Sequence, residues 1–340
     1  MSDGSRPVLD TLQRLLPGDV TLSMPLARIG RWRIGGPADA VVVPSNAERL
    51  ARALKILRTS DVPYVVVGDG TNLLFDDAGF RGVVIRIGPA LGGFELLGGG
   101  RVRAGAGLWV PRFVRRVIGH GLTGAVHAIG IPGTLGGLIV MNGGSQRKGI
   151  GEHVVAVDLL DADGRFARIE REQLGFAYRT SRLQENGAVV LSAEFAFEPG
   201  DVQAMRREAI EILASRRAKF PKVRANCGSV FVSDPKLYSL IGPPGMAIEK
   251  AGLKGMACGD AQISPEHANF IVNNGHARSA DVLALIAEAR DRVRALTGVA
   301  MAAEVRHLDP HGGLRPAHEV VARAAPSQET EDDQRRAAVA

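Results

Sequence analysis

The run Gly130-Ile131-Pro132-Gly133-Thr134-Leu135-Gly136-Gly137-Leu138-Ile139-Val140-Met141-Asn142-Gly143-Gly144 crowds six glycines into fifteen residues around an apolar core, 138–141. Glycine relaxes φ and lets another group come within hydrogen-bond distance of the backbone. Successive free N–H groups then form a concave anion site, most often for phosphate. No Gly-Lys-Ser/Thr follows, so this is no Walker loop, and the Gly-x-Gly-x-x-Gly spacing of a Rossmann turn is missing. The run therefore predicts close approach to the backbone, by a ligand or by another element. Tight packing alone seldom needs so many glycines, which favours the ligand.

Working outward, a β-branched strand at 62–67 runs into a second small-residue loop, Gly68-Asp69-Gly70-Thr71-Asn72-Leu73-Leu74. This is either another phosphate cradle or a plain strand-to-loop turn. Two such loops suit one extended ligand gripped from two sides, as a dinucleotide would be. Around them, hydrophobic periodicity predicts helices over the first twenty residues (ending near Pro17), from a Ser45/Glu48 capping box to about Arg58, and over 110–121, 202–219 and 279–297. Strands are expected at 40–43, 79–87, 102–106, 153–160, 166–169, 188–197 and 299–307, with Asp163-Gly164 as a hairpin turn. The expected divisions are an N-terminal helical segment (1–20), a first subdomain (21–89), a second (90–200), a C-terminal domain (201–309) and a polar, disordered tail (310–340).

The totals narrow the class. The chain has 340 residues, 45% hydrophobic and 23% charged, as in globular proteins. No apolar run is long enough to span a membrane. The N-terminus lacks a signal-peptide core, which predicts a cytoplasmic protein. Two cysteines, Cys227 and Cys258, make neither a disulfide framework nor a four-ligand zinc site, and no metal is expected. The net charge of +6 points to an anionic partner. Aromatics are only 5% and the basic residues are dispersed, so small phosphorylated ligands fit better than nucleic acid.

Candidate reactive groups are Arg179, Ser229, His267 and Glu304. Arg179 also suits a structural ion pair, Ser229 a turn and His267 a turn cap. Ser229 lacks the Gly-x-Ser-x-Gly context of a nucleophile elbow. Glu304, expected inside an apolar strand, needs an arginine partner or a function, because an unpaired buried carboxylate is costly.

These residues carry a family resemblance. Arg33-Ile34-Gly35-Gly36-Pro37-Ala38-Asp39, the two glycine loops with Met141-Asn142, Tyr178-Arg179-Thr180-Ser181, Gly228-Ser229-Val230-Phe231, Ala251-Gly252-Leu253-Lys254-Gly255, His267-Ala268-Asn269-Phe270-Ile271-Val272-Asn273 and Glu304-Val305-Arg306 fall in one order. That order resembles the UDP-N-acetylenolpyruvoylglucosamine reductase family over residues 33–307. The resemblance implies an α+β fold: an FAD-binding domain of the vanillyl-alcohol-oxidase/PCMH type, made of two α+β subdomains, then an α+β substrate-binding domain. It implies FAD held by Gly68, Asp69, Gly70, Thr71, Asn72 and Leu73, and by Gly130, Ile131, Pro132, Gly133, Thr134, Gly136, Gly137 and Asn142. NADPH is then the reductant and a UDP-sugar enolpyruvyl ether the substrate. Ser229 matches the family's proton donor, and Arg179 and Glu304 match the pair that holds the substrate carboxylate and polarises the enol.

The chain departs from the family pattern at several points. Val232-Ser233 replace a usual Lys-Asn, Gly30-Arg31 a common Thr pair, Gly143-Gly144-Ser145-Gln146 the usual Ala-Gly-Ala-Tyr, and Ala302 a frequent Glu. Lys219, Lys222 or Arg224 are then expected to take up phosphate contacts, Tyr238 lies in an insertion at 234–244, and Cys227 reads as packing. A monomer without nucleic-acid or membrane partners is expected. Two other readings stand beside the reductase: a divergent paralogous FAD-dependent oxidoreductase for another anionic substrate, and a degenerate flavin-binding regulatory protein.

Overall fold

The computed structural model describes residues 5–185 and 187–321. Helix α1 (Arg6–Leu15) buries Leu9 and Leu12. The first subdomain continues through β1 (Val20–Leu22), β2 (Ala38–Val42), α2 (Ala47–Arg58), β3 (Tyr64–Val67), β4 (Leu73–Phe75) and β5 (Phe80–Arg86). Its sheet runs β1-β2-β5-β3, with β2, β5 and β3 parallel and β1 antiparallel at the edge. All five residues of β2 are buried, as a strand covered on both faces requires. Helix α2 buries Leu50, Ala53, Leu54 and Leu57, a helical stripe in which each leucine contributes about 2 kcal/mol. Its cap is Asn46 rather than the expected Ser45. The Asn46 Oδ1 accepts the Arg49 N–H at 2.8 Å, while the Ser45 N–H is drawn to Asp19.

The second subdomain holds β6 (Phe94–Gly98), β7 (Arg101–Gly105), α3 (Val110–Gly119), α4 (Leu135–Val140), the two-residue strands β8 (Gly144–Ser145) and β9 (Lys148–Gly149), β10 (Val154–Leu160), β11 (Phe166–Glu170) and β12 (Val189–Ala196). Its antiparallel sheet runs β11-β10-β12-β7-β6. Edge strand β6 was not anticipated, since its leucines are exposed and give no alternating pattern. Helix α5 (Val202–Lys219) has the expected bounds but packs elsewhere. Its Met205, Ala209 and Ile212 enter the core shared by the first two subdomains. Helix α5 thus lies within the expected 201–309 division but packs with the elements before it.

The C-terminal domain comprises α6 (Pro235–Leu240), α7 (Pro244–Lys250), β13 (Ala257–Cys258), β14 (Ala261–Ile263), β15 (Ile271–Asn273), α8 (Ser279–Thr297), β16 (Arg306–Leu308), β17 (Leu314–Pro316) and α9 (Ala317–Val321). Gly298 closes α8 at φ +74°, the left-handed position expected of a terminating glycine. Its core takes in Trp32 and Ile34 from the first subdomain. The Trp32 indole donates to the Ile271 carbonyl at 2.7 Å, and Asn273 Nδ2 donates to the Trp32 carbonyl at 2.9 Å.

Two expectations change here. The strand expected over 299–307 is only β16. Glu304 lies before it, in a segment joined to Phe231 by one bridge at Ala303, with its N–H donating to the Val230 carbonyl at 2.8 Å. The chain also stays folded past 310. Strand β17 pairs with β16, Ala317 is buried, and His318 Nδ1 accepts the Ala303 N–H at 3.0 Å. Polar composition hid this because a short strand and one helical turn bury few side chains. Residues 322–340 of the expected tail lie outside the described residues.

Candidate active site

Strand β16 pairs in parallel with β4, the strand that leaves the loop at 68–72. This carries Glu304 to that loop: Asn72 Nδ2 donates to the Glu304 carbonyl at 2.9 Å, and the Arg306 N–H donates to the Asn72 carbonyl at 3.1 Å. The two glycine loops meet face to face. A Cβ on Gly68 would strike Thr134 Oγ1, and one on Gly133 would lie 2.8 Å from Thr71 Oγ1. Both loops line one cavity of 620 Å³, within the range of ligand sites. The backbone N–H groups of Gly68 through Asn72 find no acceptor among the described residues. Five such donors in succession at a cavity wall form a ready anion cradle. Asp69 is held by Arg86 at 3.0 Å, which offsets its charge beside that cradle.

Gly68 to Leu73, Ile131 to Thr134, Gly136 and Gly137 all line this cavity. Gly130 and Asn142 do not. Gly130 packs against the Arg216 side chain. The Asn142 amide is engaged by the Ala177 carbonyl at 2.8 Å and the Gly151 N–H at 3.0 Å. Asn72 lines the cavity, yet its side chain serves the Glu304 backbone.

Arg179, Ser229 and Glu304, from three separate parts of the chain, all line the same cavity. Arg179 Nε sits 2.9 Å from Glu304 Oε1, and both side chains are mostly buried. The contact is close but poorly aligned, leaving the Nε hydrogen without an acceptor in good geometry. Burial pushes the Glu304 carboxyl above its ordinary value, against the opposing pull of Arg179. The Ser229 hydroxyl has no hydrogen-bond partner among the described residues. The arrangement offers a cation, a carboxyl raised above its ordinary value and a hydroxyl without a partner among the described residues, all lining one cavity.

The remaining candidates play other parts, and of these Cys227 also lines the cavity. His267 lies between Phe220 and Phe270, its Nδ1 accepting the Asn269 N–H at 3.2 Å, so it caps a turn. Cys227 is buried with its thiol against the Gly70 and Leu73 carbonyls, and burial pushes that thiol up to about 12. Lys219, Lys222 and Arg224 are exposed and do not line the cavity. Arg216 and Arg306 line it instead. Arg216 lies over the Phe220 ring at 4.4 Å and has no carboxylate partner among the described residues; its guanidinium pKa is lowered by burial. Arg216 was hidden within a charged helix that read as a solvated face. Arg306 stands in the Glu304-Val305-Arg306 motif, but nothing in the sequence assigned it to the cavity.

Residues 220–308 match the family model described as UDP-N-acetylenolpyruvoylglucosamine reductase, C-terminal domain, and residues 38–170 match the FAD binding domain model. The chain is 48% identical over 295 residues to UDP-N-acetylenolpyruvoylglucosamine reductase 1 of Corynebacterium glutamicum, covering 87% of this chain and 88% of that one. The chain belongs to the UDP-N-acetylenolpyruvoylglucosamine reductase family. The Heliobacterium modesticaldum reductase is 42% identical, with 85% of this chain and 90% of that protein covered. The crystal structure of the Thermus caldophilus family member superposes with a TM-score of 0.71 at 32% identity, covering 85% of this chain and 97% of that one. Membership brings with it the α+β FAD-binding fold expected from the sequence.

Proposed function

We propose that this chain reduces UDP-N-acetylglucosamine enolpyruvate to UDP-N-acetylmuramate, a step in making peptidoglycan precursors, with Arg179, Ser229 and Glu304 as its catalytic residues. The observation that carries the assignment is their convergence on one cavity whose wall presents the uncommitted N–H groups of residues 68–72. That cradle fits the pyrophosphate of FAD. FAD, when bound, supplies the hydride that NADPH provides.

The chain's own residues deal with charge and with one proton. Hydride addition to an electron-rich enol ether builds negative charge on the substrate carboxylate. Arg179 meets that charge with a cation already in place, as electrostatic stabilisation of a transition state requires. Glu304, whose carboxyl burial pushes above its ordinary value, donates a hydrogen bond to the same group in its protonated form. As an anion it would repel it. Ser229 delivers its hydroxyl proton to the neighbouring carbon, a basic centre that even a weak acid can protonate. Arg216 and Arg306 supply positive charge for the anionic parts of the nucleotide ligands. On the same reading the protein acts as a monomer in the cytoplasm. Among the described residues, no helix is long and apolar enough to cross a membrane.

The test is a pair of half-reactions without oxygen. NADPH should bleach the flavin of the purified protein, and UDP-N-acetylglucosamine enolpyruvate should restore its colour. Persistent bleaching after addition of the enol ether would contradict the assignment.

A further inference from the structure

Arg179 is not held where it stands by local preference. Its φ is +57°, in the left-handed region that a non-glycine residue enters at a cost of about 1–2 kcal/mol. It occupies the tip of a tight turn closed by reciprocal hydrogen bonds between Ala177 and Thr180, at 3.0 and 3.1 Å. The turn by itself leaves the Arg179 carbonyl open. One side chain engages it: Gln184 Nε2 donates to the Arg179 carbonyl at 3.0 Å and to the Val140 carbonyl at 3.1 Å. Val140 is the last residue of α4, the helix that begins within the glycine loop, and Ser181 Oγ donates to the same carbonyl at 2.6 Å. Gln184 thus ties the arginine's main chain to the helix that grows out of the glycine loop at 130–137. It also lines both the 620 Å³ cavity and a smaller one beside the Arg179–Glu304 pair.

We propose that Gln184 is a positioning residue of the reduction, fixing the Arg179 backbone so that its guanidinium stays on Glu304 and on the substrate carboxylate. This rests on the functional reading above. The chemistry of the position is specific. Two carbonyl oxygens must be met by two donors on one atom, without adding charge beside Arg179. A carboxamide nitrogen does this; a carboxylate would repel both carbonyls, a thioether donates nothing, and a lysine would place a second cation next to the arginine. Misplacing a reacting group by about 1 Å can cost on the order of 100-fold in rate, so a carbonyl clamp one residue wide is enough to matter.

The experiment compares holoenzyme carrying Gln184→Met, of similar size without donors, with Gln184→Glu and with wild type. Flavin reduction by NADPH and reoxidation by the enol ether are measured separately in stopped flow, with thermal melting alongside. Reoxidation should slow about 10- to 100-fold in Gln184→Met, and at least as much in Gln184→Glu, while reduction changes less than about threefold. In an Arg179→Ala background, Gln184→Met should add nothing, because the residue acts only through the arginine. Multiplying effects in the double variant, equal losses in both half-reactions, or an unchanged reoxidation rate would each overturn the proposal. So would collapse of the fold in both Gln184 variants, which would assign the residue to the fold alone. If wild type itself fails to reoxidise with the enol ether, the substrate assignment falls instead, and that arm reads it directly.

Discussion

The two glycine loops and the Arg179–Ser229–Glu304 cluster line one cavity but are built in opposite ways. The loops act through backbone. Their glycines allow contact between facing segments, and the loop at 68–72 leaves its N–H groups unclaimed. The cluster brings together three side chains from distant parts of the chain, and the backbones of two of them are held by different neighbours. Gln184 holds the Arg179 carbonyl, Asn72 holds the Glu304 carbonyl, and the Val230 carbonyl receives the Glu304 N–H. On the proposed function, binding is thus written locally, while reactivity depends on assembly.

Variants can pull the two apart. The largest effect is expected from Arg179→Ala: reoxidation by the enol ether should fall on the order of 100- to 1,000-fold, as for loss of one charge-stabilising donor, with flavin retained. A fall in flavin content instead would erase the distinction between loop and cluster. Gly68→Val should do the reverse. A side chain there collides with Thr134, so flavin affinity measured by titration should drop at least about tenfold. Each flavin still bound should reoxidise at close to the wild-type rate, and a matching drop per flavin would blur the contrast.

The pH dependence sharpens the cluster's side. Burial holds the Glu304 pKa above its ordinary value, so the neutral form persists at higher pH than for an exposed glutamate. If that form is the donor, reoxidation runs at full rate below the raised pKa and declines as pH rises through it. Glu304→Gln keeps a donor at every pH and should flatten that limb in a stopped-flow pH series. A limb that persists belongs to another group.

The smallest effect is a control outside both regions. Asp77 accepts hydrogen bonds from the Ser279 N–H and hydroxyl at 2.8–2.9 Å, capping α8 from the first subdomain. Asp77→Ala should cost about 1–2 kcal/mol in denaturant unfolding and leave both half-reactions alone.

The same contrast explains what the sequence discloses. Helices α5 and α8 are bounded by readable punctuation, Pro199-Gly200-Asp201 ahead of the first and Gly298 behind the second. The glycine loops are readable because glycine has few other uses at such density. The Arg179–Glu304 pair is readable only as two unusual charges, since nothing local brings residue 304 to residue 179. It depends on β16 pairing in parallel with β4, a long-range contact that leaves no periodic trace. The expected strand over 299–307 was too long for a related reason: an apolar run looks the same whether it pairs in a ladder or packs as an extended segment. Gln184 and Arg216 escape notice because a glutamine after a turn and an arginine in a charged helix are ordinary in sequence. Their meaning comes from what they touch.

The proposed division, loops that bind and a cluster that reacts, is tested most directly by Ser229→Ala. With both half-reactions followed on one enzyme preparation, flavin reduction by NADPH should stay near the wild-type rate, and reoxidation by the enol ether should slow by roughly 100-fold or more. Equal slowing of the two half-reactions would contradict a proton-donor role for Ser229 and the division of labour built on it.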